Sequence, residues 1–123
     1  MEGDSVVMLY KQYSSKEING KTLPKSRGGE IVQLSIQSCP GSRITINNNG
    51  IKNEYYIGNA TILEWDFISI NTHLINDDIL NTVIIVEVES GQDDFGNKVY
   101  SIFDGAIIDV LYNTTKEEDL NLE

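Results

Sequence analysis

The sequence predicts an all-β fold: an antiparallel β-sandwich or small barrel with an extended N-terminal arm. Three observations carry this. Runs rich in β-branched and aromatic residues recur about every ten to twelve residues, separated by Gly, Asn and Pro signals. Within the runs, apolar residues alternate with polar ones, as half-buried strands require. The first 29 residues differ from the rest in composition and charge.

In that first stretch, Val6 to Tyr10 has the pattern of a short strand, and KQYSSKEINGKTLPKSRGG after it is polar, with Asn19-Gly20, Pro24 and Gly28-Gly29 as breakers. Lys11, Lys16, Lys21, Lys25 and Arg27 outweigh Glu2, Asp4 and Glu17, a balance of +2. The chain carries -10 in all, so the remainder carries -12. Residues 1–29 are therefore expected to form an extended arm or edge hairpin outside the core. Its assembly contacts are assigned to Val6, Met8, Leu9, Tyr10, Lys11, Lys21, Lys25 and Arg27.

Residues 30–113 are expected to form the β-domain. Val32, Leu34 and Ile36 share one face of EIVQLSIQ; after the Pro40-Gly41 turn, RITIN reads as the return strand, with Ile44 and Ile46 facing together. NNNG at Asn47–Gly50 is a turn of residues that tolerate positive φ. Tyr55 to Gly58 starts another strand, and ATILEWDF (Ala60–Phe67) continues the sheet with Leu63, Trp65 and Phe67 on one face. In ISINTHLINDDIL (Ile68–Leu80), a strand is expected to give way to a short helix or turn, capped by Asn71 or Thr72.

From Thr82 the β signal is strongest. Ile84, Val86 and Val88 oppose Ile85, Glu87 and Glu89. A polar loop with Gly91, Asp93, Asp94, Gly96 and Asn97 follows. Ala106, Ile108, Val110 and Tyr112 then alternate with Ile107, Asp109, Leu111 and Asn113. This whole stretch reads as antiparallel sheet with one wet face. The expected core is Leu34, Ile36, Ile44, Ile46, Leu63, Trp65, Ile84, Val86, Val88, Ile108 and Val110. Residues 114–123 read as an acidic C-terminal tail.

Composition narrows the function. A net charge of -10 and a pI near 4.4 oppose binding to nucleic acid or to anionic membrane. No apolar run reaches the roughly 18 residues of a membrane span, and the first residues lack the basic start of a signal peptide. Asn and Ile are abundant and Ala scarce, as in AT-rich genomes.

Chemistry-bearing residues are few. Cys39 is the single cysteine and His73 the single histidine, with no HExxH or CxxC spacing, so no catalytic metal, cofactor or triad is expected. Cys39 reads as a small half-buried residue, His73 as a surface or loop residue. Asp93-Asp94-Phe95-Gly96-Asn97 has part of the look of a calcium loop but lacks its alternating ligands and terminal Glu, and reads as a hairpin loop. Tyr10, Tyr13, Tyr55 and Tyr56 have the chemistry to stack on a sugar, though strand tyrosines commonly fill half-buried space.

PGSRITIN at Pro40–Asn47, YYIGNATILEWDF at Tyr55–Phe67, ISINTHLI and TVIIVEVE together resemble small structural proteins in phages of low-GC Gram-positive bacteria. Those proteins carry a Pro-Gly-Thr turn leading into a strand that ends in Asn, then a strand pair and a final Ile- and Val-rich strand. The resemblance spans roughly residues 30 to 90, and departs where Asn59-Ala60-Thr61 replaces a Gly-containing turn. It implies a β-fold without a site, used as a capsid decoration, neck, tail or baseplate subunit. The expectation is a structural assembly subunit located in the virion and made in the host cytoplasm. It is expected to be oligomeric in the assembly and held to neighbouring subunits by the arm and sheet edges. A carbohydrate- or ligand-binding β-module is the alternative.

Overall fold

The computed structural model describes residues 7–25, 31–58 and 68–114. They form two four-stranded antiparallel sheets packed face to face, so the all-β sandwich is realised. The strands are β1 (Val7–Ser14), β2 (Ile31–Ser38), β3 (Ser42–Asn48), β4 (Ile51–Tyr56), β5 (Ile68–Ile75), β6 (Thr82–Gln92), β7 (Lys98–Ile102) and β8 (Ile107–Thr114), with single-turn helices α1 (Ser15–Ile18) and α2 (Asn76–Ile79). One sheet has the order β1-β8-β2-β5 and the other β4-β3-β6-β7.

Alternation sets what lies between the sheets. Val32, Leu34 and Ile36 of β2, Ile44 and Ile46 of β3, Ile84 and Val86 of β6, and Ile108, Val110 and Tyr112 of β8 are all buried. Tyr112, fully buried, donates its hydroxyl to the Pro24 carbonyl at 2.7 Å, and burial pushes its phenol far above the ordinary range. Val88 departs from expectation: it is half-buried, because β6 there runs out beyond the sandwich. Leu63, Trp65 and the strand expected over 60–67 lie outside the described residues.

Asn49 and Gly50, at φ 55° and 84°, close the β3–β4 hairpin with two residues, the geometry that matches strand twist. β4 therefore begins at Ile51, four residues earlier than its side-chain pattern indicates; all but Tyr55 are exposed. The strand-then-helix expectation holds for β5 and α2, but the strand runs to Ile75, which takes the N-cap position in place of Asn71 or Thr72.

Two expected pairings are corrected. RITIN is not the return strand of a β2 hairpin. Gly41, at φ 87°, turns the chain from one sheet to the other, and Ser42 Oγ donates to the Cys39 carbonyl at 2.7 Å across this corner. Likewise β8 leaves the β6–β7 hairpin and joins the opposite sheet through Phe103 to Ala106. Alternation specifies which side of a strand faces the core. It does not specify the sheet to which the strand belongs.

The largest correction concerns the N-terminus. Over 7–25 it is no free arm. β1 pairs along its whole length with β8, from Val7 opposite Thr114 to Ser14 opposite Ile107. The chain then turns through α1, where the Glu17 carboxylate accepts the Ser14 N–H at 2.8 Å. It crosses to the other sheet, with Gly20 N–H donating to the Ile84 carbonyl and Leu23 N–H to that of Thr82. Ile18 and Leu23 are buried in the core. The segment reads as polar because few apolar residues point inward, Ile18 and Leu23 fully and Leu9 and Tyr13 in part, while backbone groups and the Ser15 and Asn19 side chains supply much of the attachment. Residues 7–25 thus belong to the domain expected over 30–113, and β8 extends one residue past it to Thr114.

Removing residues 1–25 is therefore expected to unfold the protein, with loss of its cooperative transition by circular dichroism. Ile18→Ala is expected to cost about 2–5 kcal/mol, read as a lowered urea midpoint.

Candidate interaction surface

The residues assigned to the arm are dispersed. Val6 and Arg27 lie outside the described residues. Met8 sits on β1 opposite Asn113. Leu9 packs against the core. Tyr10 is 54% exposed and donates its hydroxyl to Asp109 at 2.7 Å, and Gln12 Nε2 donates to both. The hydrogen bond to Asp109 holds the Tyr10 phenol above its ordinary range. Lys11 is exposed, its ammonium 5.7 Å from the Tyr13 ring centre; Lys21 is exposed and Lys25 half-buried. β1 is an edge strand, so the expectation of an edge element holds while that of a detached arm does not.

The element that does project is the β6–β7 hairpin. From Glu89 to Ile102 every residue is exposed except Tyr100, so the ribbon has solvent on both faces. Two-stranded ribbons are marginal by themselves, and local contacts hold this one. Ser101 Oγ donates to Ser90 Oγ at 3.0 Å, Lys98 lies 3.7 Å from Glu89, and a register shift between Glu89 and Gly91 adds twist.

At its tip the Asp93 carboxylate organises the loop. Oδ1 accepts the N–H groups of Phe95 and Asn97, both at 2.9 Å, and Oδ2 accepts Asn97 Nδ2 at 3.2 Å. Two backbone bonds, Asp93 to Asn97 and Gly96 to Asp93, and Gly96 at φ 83° complete the turn. These bonds, that of Asn97 first, hold the Asp93 carboxyl below its usual range. The side chain thus displayed is Phe95, 88% exposed; Val99 and Ile102, at 42% and 59%, follow on β7.

The outer face of the β4-β3-β6-β7 sheet is the second organised surface. Arg43 sits 4.0 Å over the Tyr100 ring, and its Nε and Nη2 both donate to Glu87 Oε1 at 3.1 and 2.9 Å. Tyr56 donates to Glu54 at 2.9 Å and holds that carboxyl below its usual range. Val83 and Ile85 floor a shallow groove between these charged side chains. On the other sheet's outer face, cross-strand rows such as Gln12, Asp109, Ser35 and Asn71 are polar and almost uncharged.

His73 is exposed on β5 and Cys39 is fully buried. Among the described residues, no three or more His, Cys, Asp or Glu residues are grouped to hold a metal ion. The Asp93–Asn97 segment forms the hairpin loop that its sequence indicates. The signal that sequence reasoning passed over was Phe95, an apolar ring inside a turn of polar residues. Comparison with protein-family models, curated proteins and solved structures finds no match to this chain.

A depressed folded-state pKa means that the Asp93 carboxylate stabilises the loop above the unfolded value of about 3.9 and ceases to do so as pH falls through the folded value. The Phe95 and Asn97 amide resonances are expected to stay dispersed from pH 7 to about 4 and to move together toward random-coil positions below it. Asp93→Ala should abolish that titration and leave these amides disordered at pH 7.

Proposed function

We propose that this protein is a structural assembly subunit that contacts neighbouring protein subunits through its projecting hairpin and its sheet edges. The carrying observation is the β6–β7 ribbon: a locally braced element that leaves the core and presents Phe95 to solvent. Large exposed apolar side chains on a rigid support are what protein contacts use as anchors.

The edges support the same reading. Of the chain's 19 acidic residues, Glu54 alone lies on the edge strands β1, β4, β5 and β7. β5 carries no Lys, Arg, Asp, Glu or Pro over eight residues. Among the described residues nothing pairs with the outer side of these strands, and edges without charge or proline accept added strands. The likeness of residues 30 to 90 to phage structural proteins supports placing the assembly in a virion. The contacts proposed for the arm move to the hairpin, since residues 7–25 are committed to the core.

A second reading, a carbohydrate-binding module, is favoured by the groove over Val83 and Ile85, where Arg43 and Lys52 face Glu54 and Glu87. Mutually compensated charges around an apolar floor suit a neutral polar ligand.

Replacing Ser90–Val99 with Asn-Gly shortens the hairpin to a two-residue turn between Glu89 and Tyr100, which already pair. The wild-type chain is expected in particles purified from its host, by mass spectrometry. The shortened chain is expected to fold with an unchanged melting temperature and to be depleted about tenfold or more, the effect of roughly 1.4 kcal/mol of lost contact. Equal incorporation of both chains removes the hairpin from the contact; absence of the wild type from particles removes the virion.

A further inference from the structure

We infer that Phe95 at the hairpin tip seats in the pocket at the hairpin base of a second copy of this chain, joining copies head to tail. The inference rests on the assembly reading above and names the partner.

The knob is pre-organised. Its loop is held by the Asp93 carboxylate and by two backbone bonds, so little conformational freedom remains to be lost when the ring is buried. Among the described residues nothing covers the ring, which is 88% exposed.

The receptor is a pocket of about 180 Å³ where three elements meet: the Gly41-Ser42 corner, the end of β4 through Tyr56, Ile57 and Gly58, and the hairpin base at Glu89, Lys98 and Tyr100. A cavity of about 150 Å³ accommodates benzene, so the volume suits one phenyl ring. Tyr56 and Tyr100 offer aromatic walls, and Ser42, Glu89 and Lys98 form the polar remainder of the lining. Docking Phe95 brings its neighbour Asp94 to the rim, where Lys98 stands with its ammonium only loosely held by Glu89 at 3.7 Å.

Knob and pocket are different surfaces, so the contact is heterologous. Each copy that gives a knob still offers a pocket, and the product is an open chain or a ring. The area is small and the affinity correspondingly weak, suited to a repeating assembly in which many such contacts act together. Each copy carries -10, so long-range repulsion opposes the contact and salt relieves it. Association that strengthens with salt distinguishes an apolar knob between like-charged copies from a contact held by opposite charges.

Sedimentation velocity on the full chain tests this, at protein concentrations up to about 1 mM and at roughly 0.05 and 0.5 M NaCl, where the screening length falls from over 10 Å to about 4 Å. The wild type is expected to show a weight-average sedimentation coefficient that rises with concentration, more steeply at high salt. Phe95→Ser and Tyr56→Ala, both at exposed positions, should each remain monomeric with unchanged circular dichroism. Phe95→Tyr should associate like the wild type. An equimolar mixture of Phe95→Ser and Tyr56→Ala should form dimers and stop there, because one intact knob and one intact pocket remain per pair. A wild type that stays monomeric at about 1 mM, or a mixture that does not dimerise while each variant is folded, overturns the inference. If the wild type stays monomeric while the hairpin-shortened chain is still excluded from particles, the knob binds a different subunit and the assembly reading stands.

Discussion

The open edge of β6 is the constraint from which the rest of the structure follows. One side of β6 pairs with β3 from Thr82 to Val88. The other side is shared. From Thr82 to Ile84 it is taken by the N-terminal segment, through the Gly20 and Leu23 amides. At Val86 the N–H is accepted by Asn19 Oδ1 at 2.8 Å and the carbonyl accepts Phe103 N–H at 2.9 Å. β7 therefore pairs from Glu87 outward, up to Gln92 opposite Lys98. Buried backbone groups must be satisfied, and here two segments divide the task. Because the N-terminal segment occupies the inner half, the β6–β7 hairpin is displaced past the end of the sandwich.

The same junction ties down both chain crossings. Ser15, fully buried, accepts the Ala106 N–H on its Oγ at 3.0 Å and donates to the Phe103 carbonyl at 2.7 Å. Asn19 Nδ2 donates to that carbonyl too, at 3.1 Å. Two polar side chains from a segment of low hydrophobicity thus hold the turn by which β7 gives way to β8. The projecting hairpin and the docked N-terminus are two results of one arrangement. A segment that reads as an arm becomes core structure, and a segment that reads as an ordinary hairpin becomes the projection.

Charge placement fits this division. The acidic surplus is kept off the edge strands, apart from Glu54, and charges on the β4-β3-β6-β7 sheet are compensated in place, as Arg43 is by Glu87 and by the Tyr100 ring. The protein thus combines long-range repulsion between copies with short-range surfaces of low charge. Contacts on such surfaces succeed where geometry permits a close apolar fit and fail elsewhere, which favours specific over indiscriminate association.

The inward face of β2, β3, β6 and β8 was legible in the chain itself. The parity of Val32, Leu34 and Ile36, of Ile44 and Ile46, of Ile84 and Val86, and of Ile108, Val110 and Tyr112 follows from period-two alternation, and all of them are buried. Asn47–Gly50 announced a turn because Asn and Gly reach positive φ cheaply, though not that it is a two-residue hairpin at Asn49-Gly50. Which sheet each strand joins was not legible, because Gly41 and the Phe103–Ala106 turn serve equally for a hairpin or for a crossing. Nor was the fate of residues 7–25, whose attachment lies in backbone hydrogen bonds and in Ser15 and Asn19, groups whose partners are some 70 to 90 positions away in sequence. The sequence by itself determined the β class, the turns and the buried face, because these depend on neighbours along the chain. The tertiary structure alone decided the sheet order, the docking of the N-terminus and the exposure of Phe95, because these depend on which distant backbone groups compete for the edge of β6.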